Sequence, residues 1–245
     1  MDLELGLFMI VVMCAILIGI SKTALPTLGI LVTAIMATVF PARESIALVL
    51  PMLILADIVA VTYYRSSVNW GTLLRLIPWV SGGLMLGFLF LFLIDLNRPL
   101  EIVLGCIILL MVTLQLYNQR TNKEPKASIL LTAGLGTLAG FSTITGNAAG
   151  PVMAIFLLAA GLKKEQFIGT GAWFFLTVNV IKLPLFAYLG LFSTQALTMS
   201  VWLIPAVLLG SIIGILALKR IPQASFNYLI LALSVLGALG LLLNI

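Results

Sequence analysis

Apolar runs far longer than any soluble core needs, separated by short polar gaps, set the pattern of this chain. A stretch such as Leu229 to Leu243 is apolar on every face. A transmembrane β-barrel would instead alternate over segments of about 10 residues. With charges and turn residues as punctuation, the pattern predicts full membrane spans over 45–63, 72–94, 100–117, 166–187, 195–217 and 225–243. Residues 5–39 and 128–160 are different. Each is long enough for two helices but is interrupted midway by polar and helix-breaking residues. The first break reads Gly19-Ile20-Ser21-Lys22-Thr23-Ala24-Leu25-Pro26-Thr27, the second Ser142-Thr143-Ile144-Thr145-Gly146-Asn147-Ala148-Ala149-Gly150-Pro151. Water cannot satisfy exposed backbone in hydrocarbon, so non-helical chain at that depth has to be packed in protein or line a wet cavity. Both stretches are therefore predicted to be broken hairpins whose turns lie inside the membrane.

The spacing also predicts a repeat. Leu76-Ile77-Pro78 followed by Gly83 and Gly87 is matched by Leu203-Ile204-Pro205 followed by Gly210 and Gly214, an offset of 203 − 76 = 127 positions. Residues 1–122 and 123–245 then form two membrane repeats, each a broken hairpin plus three transmembrane helices. Three spans is an odd number, so the second copy starts on the opposite side of the bilayer. The expected fold is an all-α polytopic membrane protein with an inverted-topology repeat. The glycine pairs are expected at close helix contacts.

Composition agrees, since 62% of the 245 residues are hydrophobic and only 9% are charged. That excludes a soluble enzyme or nucleic-acid-binding domain. The net charge of +5 reports orientation more than an acidic partner. With both hairpins returning to the side they enter from, Arg120, Lys123 and Lys126, then Lys163 and Lys164, then Lys219 and Arg220, and finally Arg65 with Arg75 all fall in the cytoplasm. Both termini and the uncharged loop from Gly190 to Thr194 fall outside. Arg43 and Arg98 are exceptions, each beside an acid, Glu44 and Asp95. The acidic Met1-Asp2-Leu3-Glu4 start is unlike the basic beginning of a cleaved signal peptide and is expected to be retained.

Histidine is absent, and Cys14 and Cys106 each lie in an apolar run, so no metal site, cofactor or catalytic group is expected. The chemistry lies in the breaks. An ionised lysine near the bilayer centre is costly, and Lys22, between Ser21 and Thr23, needs an anionic partner unless it snorkels to the interface. Lys182 poses the same choice on a span that also carries Asn179 one turn away. In the second break Thr143, Thr145 and Asn147 offer polar side chains, and Gly146 and Gly150 can present backbone N–H groups to a ligand. Pro26 and Pro151 suit the first turns of new helices, whose N-termini attract anions. Asp57 is the carboxylate well inside a span, with Arg65 two turns on along the same face. The pair reads either as a structural ion pair or as a coupling and gating element. Two opposed helix N-termini with one or two lysines would converge on a small anion.

These residues resemble a known family. Gly19-x-Ser21-Lys22, Leu50-Pro51-Met52 with Asp57 leading to Tyr64-Arg65 and Trp70, and Gly140-Phe141-Ser142 to Gly150-Pro151 with Lys164, Thr170, Asn179, Lys182 and Gly190 look like the TauE/SafE sulfite-exporter family of anion transporters. The resemblance covers nearly the whole chain. It implies secondary transport of sulfite, sulfonates or related organosulfur anions across the bacterial cytoplasmic (inner) membrane. The expected partners are thus a small-molecule anion and the lipid bilayer, with no nucleic acid. Many relatives carry a glycine-rich run where this chain has Thr23-Ala24-Leu25-Pro26-Thr27. An anion channel, or an intramembrane assembly subunit without transport, are the alternatives the residues leave open.

Overall fold

The computed structural model describes residues 5–40, 42–93 and 129–243, with positions 106, 109, 112, 113 and 116 besides. Apart from those five positions, the expected span 100–117 lies outside the described residues, as do Met1 to Glu4, Asp95, Arg98 and the basic loop with Arg120, Lys123 and Lys126. Among the described residues there is no strand. Helices α1 (Leu5–Thr23) and α2 (Gly29–Val39) are joined through a 3-10 turn, Pro26–Leu28, and form the first hairpin. Helix α3 (Ala42–Tyr64) follows, then a second 3-10 turn, Arg65–Ser67, and α4 (Trp70–Leu93). Helices α5 (Ile129–Gly146) and α6 (Ala149–Ala159) form the second hairpin, followed by α7 (Lys164–Tyr188), α8 (Thr194–Trp202), α9 (Ile204–Arg220) and α10 (Gln223–Leu243). Five of these helices, α1, α3, α4, α7 and α10, are long and apolar enough to cross a bilayer. The protein is a multi-pass α-helical membrane protein.

Both hairpin turns are tighter than their sequence breaks suggest. Ser21, Lys22 and Thr23 belong to the last turn of α1, and Thr143 and Thr145 lie inside α5. Hydroxyl side chains fit a helix when they return a hydrogen bond to the preceding turn. Thr23 Oγ1 does so to the Gly19 carbonyl at 2.9 Å and Thr145 Oγ1 to the Phe141 carbonyl at 3.2 Å. What remains non-helical is Ala24 and Leu25 with the 3-10 turn in one hairpin, and Asn147 and Ala148 in the other.

The expected span 195–217 is interrupted once, at Leu203, between α8 and α9. Hydrogen bonds continue across it, from Leu203 N–H to Met199 O at 3.2 Å and from Val207 N–H to Leu203 O at 3.0 Å. Pro205, at the start of α9, cannot donate to the preceding turn, which locates the kink. Pro78, by contrast, sits inside an unbroken α4.

The hairpins pack reciprocally. Helix α1 lies along α9 and α5 along α4, the two most extensive helix interfaces among the described residues. Glycine makes both possible, because a methyl at Gly83 would meet the Thr137 carbonyl and one at Gly210 the Ile16 carbonyl. Gly140 and Gly19 serve the opposite faces of the same seams, against Val80 and Val207. Without a hydrophobic driving force between helices in lipid, such close backbone approach is a main source of adhesion. Helices α3 and α7 pack across the middle, and α6 is buried along its whole length.

Candidate functional site

The two hairpin turns touch. A side chain at Gly150 would collide with the Pro26 carbonyl, so glycine there lets the first turn of α6 sit directly against the 3-10 turn of the other hairpin. This close contact, rather than backbone freedom, is what Gly150 supplies. The conformational exception is its neighbour Asn147, the sole non-glycine residue with positive φ (53°) among the described residues. Asparagine tolerates that left-handed geometry better than most side chains. Nothing lies within 4 Å of where a Cβ on Gly146 would be, so close packing does not explain that glycine.

Beside the contact lies a pocket whose polar lining comes from Ser21, Lys22, Thr33, Thr143, Asn147 and Asn179, with Phe175 as its aromatic wall. Gly29 and Gly150, from the first turns of α2 and α6, also border it. Neither helix has a side-chain hydrogen bond capping its N-terminus. First-turn N–H donors of a helix have no intrahelical acceptor, and the dipole adds partial positive charge there.

Lys22 is 7% exposed and does not snorkel. Its Nζ sits 3.0 Å from Asp57 Oδ1, donates to Oδ2 at 3.3 Å, and lies 3.9 Å from the centre of the Phe175 ring. Asn179 Nδ2 donates to the same Oδ2 at 2.6 Å. The contact at Oδ1 is ionic, without the alignment of a hydrogen bond. Asp57 is fully buried, and its partners are Lys22 and Asn179. The pair expected with Arg65 is not formed, because Arg65 lies exposed in the 3-10 turn after α3. A buried carboxylate takes the cation that tertiary packing brings to it, and here that cation comes from α1.

Lys182 is also fully buried, which excludes snorkelling. Its Nζ donates to the Thr143 carbonyl at 3.2 Å, to Thr143 Oγ1 at 3.3 Å and to Asn147 Oδ1. Asn147 Nδ2 in turn reaches the Ile46 carbonyl at 3.5 Å, at the limit of a hydrogen bond. Lys182 is thus wired to the second hairpin turn as Lys22 is wired to α3.

Of the residues singled out in the sequence, Ser21, Lys22, Thr143, Asn147, Gly150 and Asn179 border the pocket, and Lys182 touches two of them. Thr23 turns away, donating to the Gly19 and Ser211 carbonyls. Thr145 is occupied by Phe141. Ser21 donates to the Pro26 carbonyl at 3.3 Å, bracing its own turn. The sequence reading did not single out Phe175 or Thr33, which also line the pocket. The signal was available for Phe175, one helical turn before Asn179 on the same face of α7. Among the described residues no group of three His, Cys, Asp or Glu side chains is placed to hold a metal ion.

The chain matches the family model described as Sulfite exporter TauE/SafE over residues 11–241. It belongs to this family. No curated relative and no solved structure matches it significantly. TauE/SafE membership makes it a member of a family of membrane anion transporters.

Proposed function

We propose that this TauE/SafE protein is a secondary transporter that moves sulfite, a sulfonate or a related organosulfur anion by alternating access, with its site between the two hairpin turns. The observation that carries the reading is that two buried lysines meet one polar pocket, Lys22 as part of its lining and Lys182 through its bonds to Thr143 and Asn147, which line it. The proposed binding residues are Ser21, Lys22, Thr143, Asn147, Asn179 and Lys182, with Gly150 holding the turns together. Asp57 is the proposed coupling or gating group.

We further propose that residues 1–122 and 123–245 are inverted repeats. Gly19, Ser21 and Gly29 recur as Gly140, Ser142 and Gly150, with one common offset (140 − 19 = 121). The reciprocal packing of α1 on α9 and α5 on α4 supports the same reading, as each hairpin then rests on a proline-containing helix of the other half. In this arrangement both termini lie outside the bacterial cytoplasmic membrane and the Lys163–Lys164 loop lies inside.

An inside-negative potential favours outward movement of an uncompensated anion by about 2.3 kcal/mol per charge per 100 mV, so export needs no coupling ion. The test is flux from proteoliposomes preloaded with sulfite. Saturable efflux that accelerates with an inside-negative potential is expected. Non-saturating conductance would point to a channel instead, and no flux of any sulfur oxyanion would overturn the proposal.

A further inference from the structure

The buried charges of the described residues are Lys22, Asp57 and Lys182. Of the three, Lys22 lines the pocket, Asp57 bonds to Lys22 and Asn179 behind it, and Lys182 bonds to Thr143 and Asn147, which line it. Helix α1 contributes Lys22, α3 contributes Asp57 and α7 contributes Lys182, whereas α2, α5 and α6 bring hydroxyl and backbone groups, Thr33, Thr143 and Gly150, and the turn before α6 brings the Asn147 amide. Asp57 is already engaged, 3.0 Å from the Lys22 ammonium. Lys182 has neutral acceptors only, the Thr143 carbonyl and hydroxyl and the Asn147 amide oxygen. Three oxygens around one nitrogen suit the three donors of an ammonium. With all three groups ionised, the cluster sums to one positive charge.

From this balance we propose that the site accepts a singly charged oxyanion and discriminates against doubly charged ones, with Asp57 as the residue that sets the limit. The inference rests on the anion-site reading above and adds the charge of the ligand to it. A monoanion brings the buried cluster to neutrality. A dianion leaves one negative charge without a partner in a low-dielectric centre, where an unmatched charge is costly. Asp57 acts by spending the charge of Lys22 before the ligand arrives. Removing that carboxylate's charge raises the cluster to two positive charges and should turn the preference toward dianions.

The experiment measures binding of methanesulfonate and sulfate to the purified full chain in lipid nanodiscs by calorimetry, for the parent, Asp57→Asn and the double variant Asp57→Asn/Lys182→Met. The parent should favour methanesulfonate by about tenfold or more, within what one unmatched buried charge supplies. Asp57→Asn should shift that ratio toward sulfate by about tenfold, and the double variant, back at one positive charge, should regain the methanesulfonate preference. The ratio of the two probes in the variants isolates charge, because Asp57→Asn and the double variant differ from each other by one charge and from the parent by one and none. A parent that binds sulfate as tightly as methanesulfonate overturns the proposal even if Asp57→Asn fails to fold. A preference that stays unchanged in Asp57→Asn overturns it too, while leaving the anion site intact. If the parent binds neither probe, the anion-site reading itself falls, and this inference with it.

Discussion

Lys22 and Lys182 are two buried cations served in different ways. Lys22 has a carboxylate and an aromatic face, Asp57 and Phe175, and its charge is matched within the protein. Lys182 has three oxygens and no carboxylate in hydrogen-bond contact, so it is solvated but not neutralised. Hydrogen bonds can replace the water a cation loses, but they cannot cancel its charge. The first lysine is thus fitted to hold the fold and Asp57 in place, and the second to wait for a ligand.

The largest test of this contrast is Lys22→Met. Taking one partner from a buried ion pair costs about 3–5 kcal/mol, because the other charge is left behind. Thermal unfolding in detergent should show a strong loss of stability, and Lys22→Met/Asp57→Asn should recover most of it while keeping, through Lys182, the one positive charge that favours a monoanion. A single variant as stable as the parent would mean that Asp57 does not depend on Lys22.

Lys182→Met is expected to disturb the fold less, since it strands neutral acceptors at about 1–3 kcal/mol rather than a charge. Its main effect should be on the ligand. Loss of one charge-assisted hydrogen bond, worth roughly 1.5–3 kcal/mol, corresponds to about 10- to 150-fold weaker sulfite binding. A larger stability loss than that of Lys22→Met would reverse the roles given to the two lysines.

Phe175→Leu keeps an apolar wall and removes the ring under Lys22. The expected change is about 1–2 kcal/mol in stability, read by the same unfolding assay, with sulfite affinity changed less than in Lys182→Met. Arg65→Ala is expected to have the smallest effect, with stability and sulfite affinity both at the parent's values, because Asp57 draws its partners from α1 and α7. A loss of binding in this variant would restore the Asp57–Arg65 pair as a functional element.

Much of the architecture could be read from the chain. Apolar runs of span length and the two interrupted stretches report the solvent, because a bilayer demands continuous helical hydrogen bonding wherever lipid touches backbone. Lys22, Asp57 and Lys182 stood out for the same reason, as charges where charge is costly. The exact turns were less legible. Serine and threonine signal a break, yet Thr23 and Thr145 satisfy themselves inside helices, and proline gives a kink at Leu203 but none that interrupts α4.

What the sequence by itself determined is a helical membrane protein with two broken hairpins and a short set of polar residues worth keeping inside it. The tertiary structure alone decided which of those residues meet. Hydrophobicity and turn chemistry are local and act the same on every span, whereas the Lys22–Asp57 pair, the Lys182 contact with the second turn and the meeting of Gly150 with Pro26 join residues from separate helices. Contacts of that kind, like the glycine seams that let α1 approach α9 and α5 approach α4, belong to packed surfaces that no single segment carries.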